Sequence, residues 1–109
     1  MSDTSEIKFS VTLDENQVPE KINWLATDAG MDKELDTKAI MISVFDTDSE
    51  ETLRMDLWTK EMRVDEMKRF FHQTIVSMAD TLQRATNEDK MAADMRDFAQ
   101  HFGKEMFDQ

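Results

Sequence analysis

The 109-residue chain contains no cysteine and only two glycines, and both shortages exclude whole classes of function. Without cysteine there is no disulfide, no iron–sulfur ligation, no thiolate zinc site and no cysteine nucleophile. Gly30 and Gly103 each stand alone, so the chain has neither a glycine-rich phosphate loop nor a serine in a glycine-flanked elbow. We therefore expect no catalytic residues and no cofactor, and hence a protein that is not an enzyme.

Long hydrophobic runs are also missing, since the apolar stretches fall far short of the roughly 20 residues that span a bilayer. The first ten residues, MSDTSEIKFS, are polar and acidic and lack the basic patch and apolar run of a secretory signal. We therefore expect a cytoplasmic protein without direct membrane insertion. Its length suits one domain, residues 1–109, with a core that needs no metal or disulfide.

Positive charge is scarce, because 13 Lys and Arg stand against 24 Asp and Glu and give a net charge of −11. This balance argues against nucleic acid as a partner, since phosphate binding needs clustered bases, and equally against an anionic lipid surface. An acidic face could attract a basic protein partner. A solvated surface that keeps the protein dispersed explains the charge more simply.

The apolar residues change period between Thr52 and Leu82. Residues 52–58 alternate strictly, which is typical of a half-buried strand. Apolar residues then recur every three or four positions, as on one face of a helix, at Val64, Met67, Phe71, Ile75, Met78 and Leu82. The chain should therefore place strands first and helices second.

Two more strands precede this change of period. Residues 7–13 alternate from Ile7 to Leu13, and the turn-forming DENQVP separates them from a strand through Ile22, Trp24 and Ala26. An antiparallel hairpin is expected. The acidic segment 27–37, TDAGMDKELDT, is predicted to be an exposed loop that can include one helical turn.

Residues 39–45 suit two structures. The helical alternative would use Leu35, Ala39 and Ile42 with Asp32 as a cap, but the β-branched residues of this segment favour a strand. The polar turn DTDSEE predicts a hairpin with residues 52–58. Because both faces of 39–45 carry apolar side chains, we expect a central strand that is covered on both sides.

The first helix is expected from about Val64 to about Ala85 and the second after Thr86 and Asn87, which can end one helix and cap the next. The apolar stripe of the second helix comprises Met91, Met95, Phe98, Phe102 and Met106. The predicted fold is α+β, with a four-stranded, mainly antiparallel sheet followed by two C-terminal helices (ββββαα).

Three groups of residues suggest metal or proton chemistry, and each has a simpler explanation. His72 has no second histidine one turn away, so a structural histidine is favoured over a ligand or proton carrier. His101 and Asp97 are spaced as a surface pair on one helix. The alternating acids of the DTDSEE turn lack the glycine and the final glutamate of a calcium loop. We expect no metal site.

Ten methionines are the unusual feature of the composition. Methionine surfaces suit partners of varied shape, but most of these residues fall on the predicted helical stripes, where core packing explains them. The surplus of apolar side chains on both faces of 39–45 instead suggests a homo-oligomer that would cover the second face.

Four segments of the sequence are distinctive in their order and spacing: KINW, TLRMDLWTKEM, VDEMKRFFHQT and SMADTLQRAT. They resemble the gliding motility-associated protein GldC family of Bacteroidetes, and the resemblance runs from SEIKF to MRDFAQHF. It implies a small cytoplasmic accessory protein of the gliding machinery. The family supplies no catalytic residue and no cofactor to carry over.

The function predicted from the sequence is therefore a non-enzymatic accessory role in gliding, exerted through protein–protein interaction. The alternative is a chaperone or binding module for unfolded or exported polypeptides, similar in outline to the export chaperone SecB. The candidate interface residues are Trp58, Thr59, Lys60, Phe70, Phe71, His72 and Gln73. Of the adjacent phenylalanines, Phe70 lies beside the stripe, and its truncation should weaken partner binding more than stability.

Overall fold

The computed structural model describes residues 3–107. The chain divides into two compact units, Met1–Met62 and Arg63–Gln109, and each is described by itself. Among the described residues, the first unit contains five strands and the second contains two helices. Whether the chain folds as one cooperative domain stays a prediction.

The first two strands form the predicted antiparallel hairpin. β1 spans Ile7–Leu13 and β2 spans Pro19–Ala26, paired from Ile7 opposite Ala26 to Val11 opposite Ile22. Phe9 and Trp24 face each other across the pair, and their rings stack with centroids 6.4 Å apart. Ile22 is almost completely buried, and Ile40 is the other buried apolar residue of this unit.

The segment 27–37 contains more structure than the predicted loop. Thr27–Ala29 form the one helical turn that was expected, a 3-10 turn that ends at Gly30 in the left-handed conformation (φ 72°). A short strand, β3 (Leu35–Thr37), then pairs antiparallel with β2. The Asn23 amide donates to the Asp36 carboxylate across this pair. Polar residues thus stabilise a strand that an alternation of apolar residues does not predict.

Residues 39–45 form a strand, as predicted, and the helical alternative is wrong. β4 (Ala39–Phe45) and β5 (Thr52–Trp58) make the expected hairpin, with Ile42 opposite Met55. The expectation of a central strand is also wrong, because β4 pairs with β5 alone in a two-stranded sheet. β3 occupies the edge of β2, and a break at Lys38 then separates β4 from that sheet.

Two long helices make up the second unit. α1 spans Val64–Thr86 and α2 spans Asp89–Phe107, close to the predicted bounds. Asn87 ends α1 with φ 60°, and its N–H donates to the carbonyl of Gln83 at 2.9 Å. The helices meet along three alanines, Ala79, Ala92 and Ala99, which are the buried residues of this unit.

The fold class is therefore α+β with two C-terminal helices, as predicted, but the single four-stranded sheet is wrong. The strands form a three-stranded sheet, β1–β2–β3, and a two-stranded sheet, β4–β5. The physical reason is the short polar strand β3, which adds a fifth strand and leaves β4 outside the first sheet.

Candidate functional site

The first three predicted interface residues lie where β5 ends, and they differ in exposure. Trp58 is 54% exposed, whereas Thr59 is only 5% exposed. The Thr59 N–H donates to the carbonyl of Lys38 at 2.8 Å, and its Oγ1 finds no hydrogen-bond partner within residues 3–107. Thr59 is thus a buried residue that extends the pairing of the hairpin by one hydrogen bond. Trp58 is the member of this group whose side chain is exposed to a partner.

Lys60 connects the end of β5 to the β1–β2 turn. Its Nζ lies 3.0 Å from Oδ2 of Asp14, and its N–H donates to the carbonyl of Pro19 at 3.1 Å. The N–H of Val18, the Lys60 ammonium and the N–H of Asn16 hold the pKa of the Asp14 carboxyl below its usual range. The Asp14 carboxylate in turn raises the pKa of Lys60. This lysine is therefore a structural cation, firmly protonated at neutral pH, and not a proton donor for chemistry.

A cleft of about 250 Å³ lies beside the end of β5. Its lining residues are Val18, Pro19, Asp56, Leu57, Trp58 and Lys60. The wall is mostly apolar, so the cleft suits an apolar side chain better than a polar substrate. A second cleft of about 280 Å³, with Lys21, Asp36 and Thr59 in its wall, is more polar.

The other four predicted interface residues lie on α1. Phe70 and His72 are half-buried, whereas Phe71 is 43% exposed and Gln73 is exposed. The His72 ring stacks on Phe102 at 6.3 Å and meets Phe107 edge-on at 5.6 Å, so this imidazole packs against α2. Phe71, rather than Phe70, is thus the phenylalanine that is more available to a partner.

The helical unit also presents a continuous apolar face that sequence reasoning assigned to the core. We define the helical face as Phe71, Met78, Met91 and Phe98, which are 43 to 55% exposed. Phe71 and Met78 lie two turns apart on α1, and Met91 and Phe98 lie two turns apart on α2. At 100° per residue, each of these four positions is about 90° around its helix from the alanines of the helix contact. Because the two helices run antiparallel, both pairs project from the same side of the hairpin.

The opposite side of the helical hairpin is mostly polar. The Arg96 guanidinium lies 2.8 Å from Asp80 and donates to the side-chain oxygen of Gln83 at 2.6 Å. Gln73 and Gln100 are exposed on that side. The unit thus has four large exposed apolar side chains on one side, and on the other mainly polar residues together with Val76 and Phe107.

A signal for the helical face is present in the sequence. Each alanine of the helix contact directly follows a large apolar residue, in Met78–Ala79, Met91–Ala92 and Phe98–Ala99. The predicted stripes counted only the large residues. Because alanine lets helices approach closely, the contact follows the alanines and leaves Met78, Met91 and Phe98 beside it.

Two classes of site have no representative in the part of the chain that the structure describes. No group of three or more His, Asp or Glu side chains there could hold a metal ion. No helix among those residues combines the length and the hydropathy that crossing a membrane requires.

One comparison with known proteins identifies the family. The model of the family "Gliding motility-associated protein GldC-like" matches residues 19–108, nearly the whole chain. The chain belongs to this family. The resemblance found in the sequence words is thereby confirmed, and the chain is associated with gliding motility. The searches of curated proteins and of solved structures returned no match. The GldC-like family is not a known enzyme family.

Proposed function

We propose that this GldC-like chain supports gliding as a non-enzymatic accessory protein of the cytoplasm, and that it binds another protein through the helical face. The observation that carries the proposal is the position of Phe71, Met78, Met91 and Phe98 on one side of the helical hairpin, each 43 to 55% exposed. Large apolar side chains grouped at a surface are typical of interaction sites.

The shape of the helical face favours a partner helix. Two antiparallel helices form a shallow groove between their ridges, and an amphipathic third helix can fill that groove with apolar residues spaced three, four and seven apart. Since the chain carries a net charge of −11, a partner helix with a basic flank would associate faster than a neutral one.

The process is tested by deleting the gene in a gliding bacterium and measuring colony spreading and the speed of single cells. We expect loss or marked slowing of gliding and full recovery when the wild-type chain is supplied in trans. Unchanged motility in the deletion strain would contradict the accessory role.

The comparisons give no support to a SecB-like chaperone, and a solution assay separates it from the proposal. A chaperone would suppress the aggregation of an unfolded client at stoichiometric ratios, whereas a protein with one dedicated partner would not. Suppression that is lost in a Phe71→Gln/Phe98→Gln variant would replace the proposed function with the chaperone one.

A further inference from the structure

The outer edge of β5 has backbone groups without a strand partner in the described structure. At one end of the β4–β5 hairpin the Asp46 N–H donates to the Glu51 carbonyl at 2.9 Å, and at the other the Thr59 N–H donates to Lys38. Hydrogen-bonded pairs alternate with non-bonded pairs in an antiparallel ladder. In this register, the odd-numbered residues of β5 therefore bond to β4 and the even-numbered ones face outward.

The free part of this edge is short and well defined. The outward-facing N–H and C=O groups at its centre belong to Arg54 and Asp56. Beyond Trp58 the edge is occupied, because the Lys60 N–H donates to the carbonyl of Pro19 at 3.1 Å. Residues 53–57 thus present a template for pairing with another strand.

The sequence of this segment is complementary to itself. Leu-Arg-Met-Asp-Leu has matching leucines at its ends and opposite charges on either side of Met55. We propose that β5 of one chain pairs antiparallel with β5 of a second copy, with Met55 of both copies on the two-fold axis. Each Arg54 then faces Asp56 of the other copy in a hydrogen-bonded pair, and each Leu53 faces Leu57.

Neighbouring registers are excluded by charge and by the alternation of side chains. Moving one strand by two residues places either Arg54 opposite Arg54 or Asp56 opposite Asp56, which brings like charges together. Moving it by one residue sets the apolar face of one strand against the polar face of the other. Only the pairing centred on Met55 satisfies both the charges and the faces.

The charge distribution of the chain also favours this strand as the contact. Two copies with a net charge of −11 repel each other. β4 carries no charged residue, and β5 carries one arginine and one aspartate, so the paired surface is neutral. Pairing also turns a two-stranded sheet, which is marginal in water, into a four-stranded one with a continuous apolar face.

The wild-type chain and two charge variants test the proposal by sedimentation at up to about 100 µM, where an interface with a micromolar Kd is occupied. The wild type should sediment at twice the 12.8 kDa chain mass. Arg54→Asp and Asp56→Arg each place like charges across the two-fold axis, and each variant alone should be monomeric.

Mixing the two variants separates the proposed contact from a loss of stability. Both variants break the existing pair within the strand, in which Arg54 Nη2 lies 2.6 Å from Asp56 Oδ1. In the mixture, however, two acids of one copy face two arginines of the other. A one-to-one heterodimer should therefore form, seen by native mass spectrometry with one variant isotope-labelled. The double variant R54D/D56R restores both contacts and should dimerise like the wild type.

A matched pair elsewhere provides the control. Arg63 and Asp65 have the same spacing and lie 2.9 Å apart, so Arg63→Asp and Asp65→Arg change the charge equally outside β5. These variants should keep the wild-type mass. A monomeric wild type at 100 µM, dimers in both β5 single variants, or no heterodimer in their mixture would each overturn the proposal.

Discussion

Three alanines determine how closely the two helices approach each other. Ala79, Ala92 and Ala99 are buried at the contact, whereas the larger neighbours Met78 and Phe98 are about half exposed. A small side chain brings the helix axes together, and the residue before it then projects past the contact. The alanines are thus the cause of the helical face as well as of the helix contact.

Enlarging one of these alanines should destabilise the helical unit. We expect Ala99→Leu to lower the free energy of unfolding by about 1–3 kcal/mol, since overpacking forces side chains out of their preferred rotamers. Urea unfolding followed by circular dichroism measures this change. Ala93→Leu, at an exposed position of the same helix, is the control and should leave the midpoint almost unchanged. Equal effects of the two substitutions would contradict the alanine contact.

At the scale of elements, the Asp14 carboxylate connects the β1–β2 turn to the end of β5, in addition to the backbone hydrogen bond from Lys60 to Pro19. Asp14 accepts hydrogen bonds from the N–H groups of Asn16 and Val18 at 2.8 and 3.1 Å, and from Lys60 at 3.0 Å. Lys60 stands 46 residues further along the chain. The side-chain part of this contact between distant segments therefore depends on the ionised form of Asp14.

The Asp14 contact should make stability depend on pH in the acid range. Its pKa is lowered in the folded chain, so the stabilisation is complete above the unfolded pKa of about 3.9 and is lost as the pH falls through the folded value. Asp14→Asn keeps an oxygen that accepts the N–H bonds but loses the charge. Its stability deficit in urea should be constant between about pH 6 and 8 and should shrink below about pH 4.

The neighbouring acid supplies the control for this titration. Glu15→Gln removes the same charge from an exposed position of the same turn. We expect it to unfold like the wild type at each pH. A deficit for Asp14→Asn that persisted unchanged at acid pH would show that the carboxylate charge is not what connects the two segments.

Elements with a strong period were predictable from the sequence, and those held by polar contacts were not. The alternation of residues 7–13 and 52–58 and the helical period after Val64 correspond to β1, β5 and α1. β3 was not predicted, because its pairing with β2 includes the Asn23–Asp36 hydrogen bond and a hydrophobic pattern does not indicate such a contact. The arrangement of the sheets depended on that strand, so the four-stranded sheet was wrong.

The exposure of the candidate site residues also could not be predicted from the sequence pattern alone. Trp58 and Phe71 are exposed, but the neighbouring Thr59 is buried and His72 packs against the aromatic rings of α2. Adjacent positions on a strand or helix face different surroundings, and only the packing decides which of them reaches solvent. The assignment of all seven residues to an interface stays a prediction.

At the scale of the whole molecule, an acidic chain offers two surfaces that are not dominated by its charge. One is the neutral edge of β5, for which we propose a second copy, and the other is the helical face, for which we propose a partner of the gliding apparatus. Self-association and partner binding would then use different residues and could be removed separately by substitution.

Colony spreading of a strain that carries Phe71→Gln/Phe98→Gln at its chromosomal locus tests the central claim most directly. Gln100→Ala, on the polar side of the same hairpin, is the control, and immunoblots must show equal abundance of both variants. We predict that the first strain spreads no further than the deletion strain and that the control spreads like the wild type. Normal spreading of the Phe71→Gln/Phe98→Gln strain at equal abundance would contradict the account.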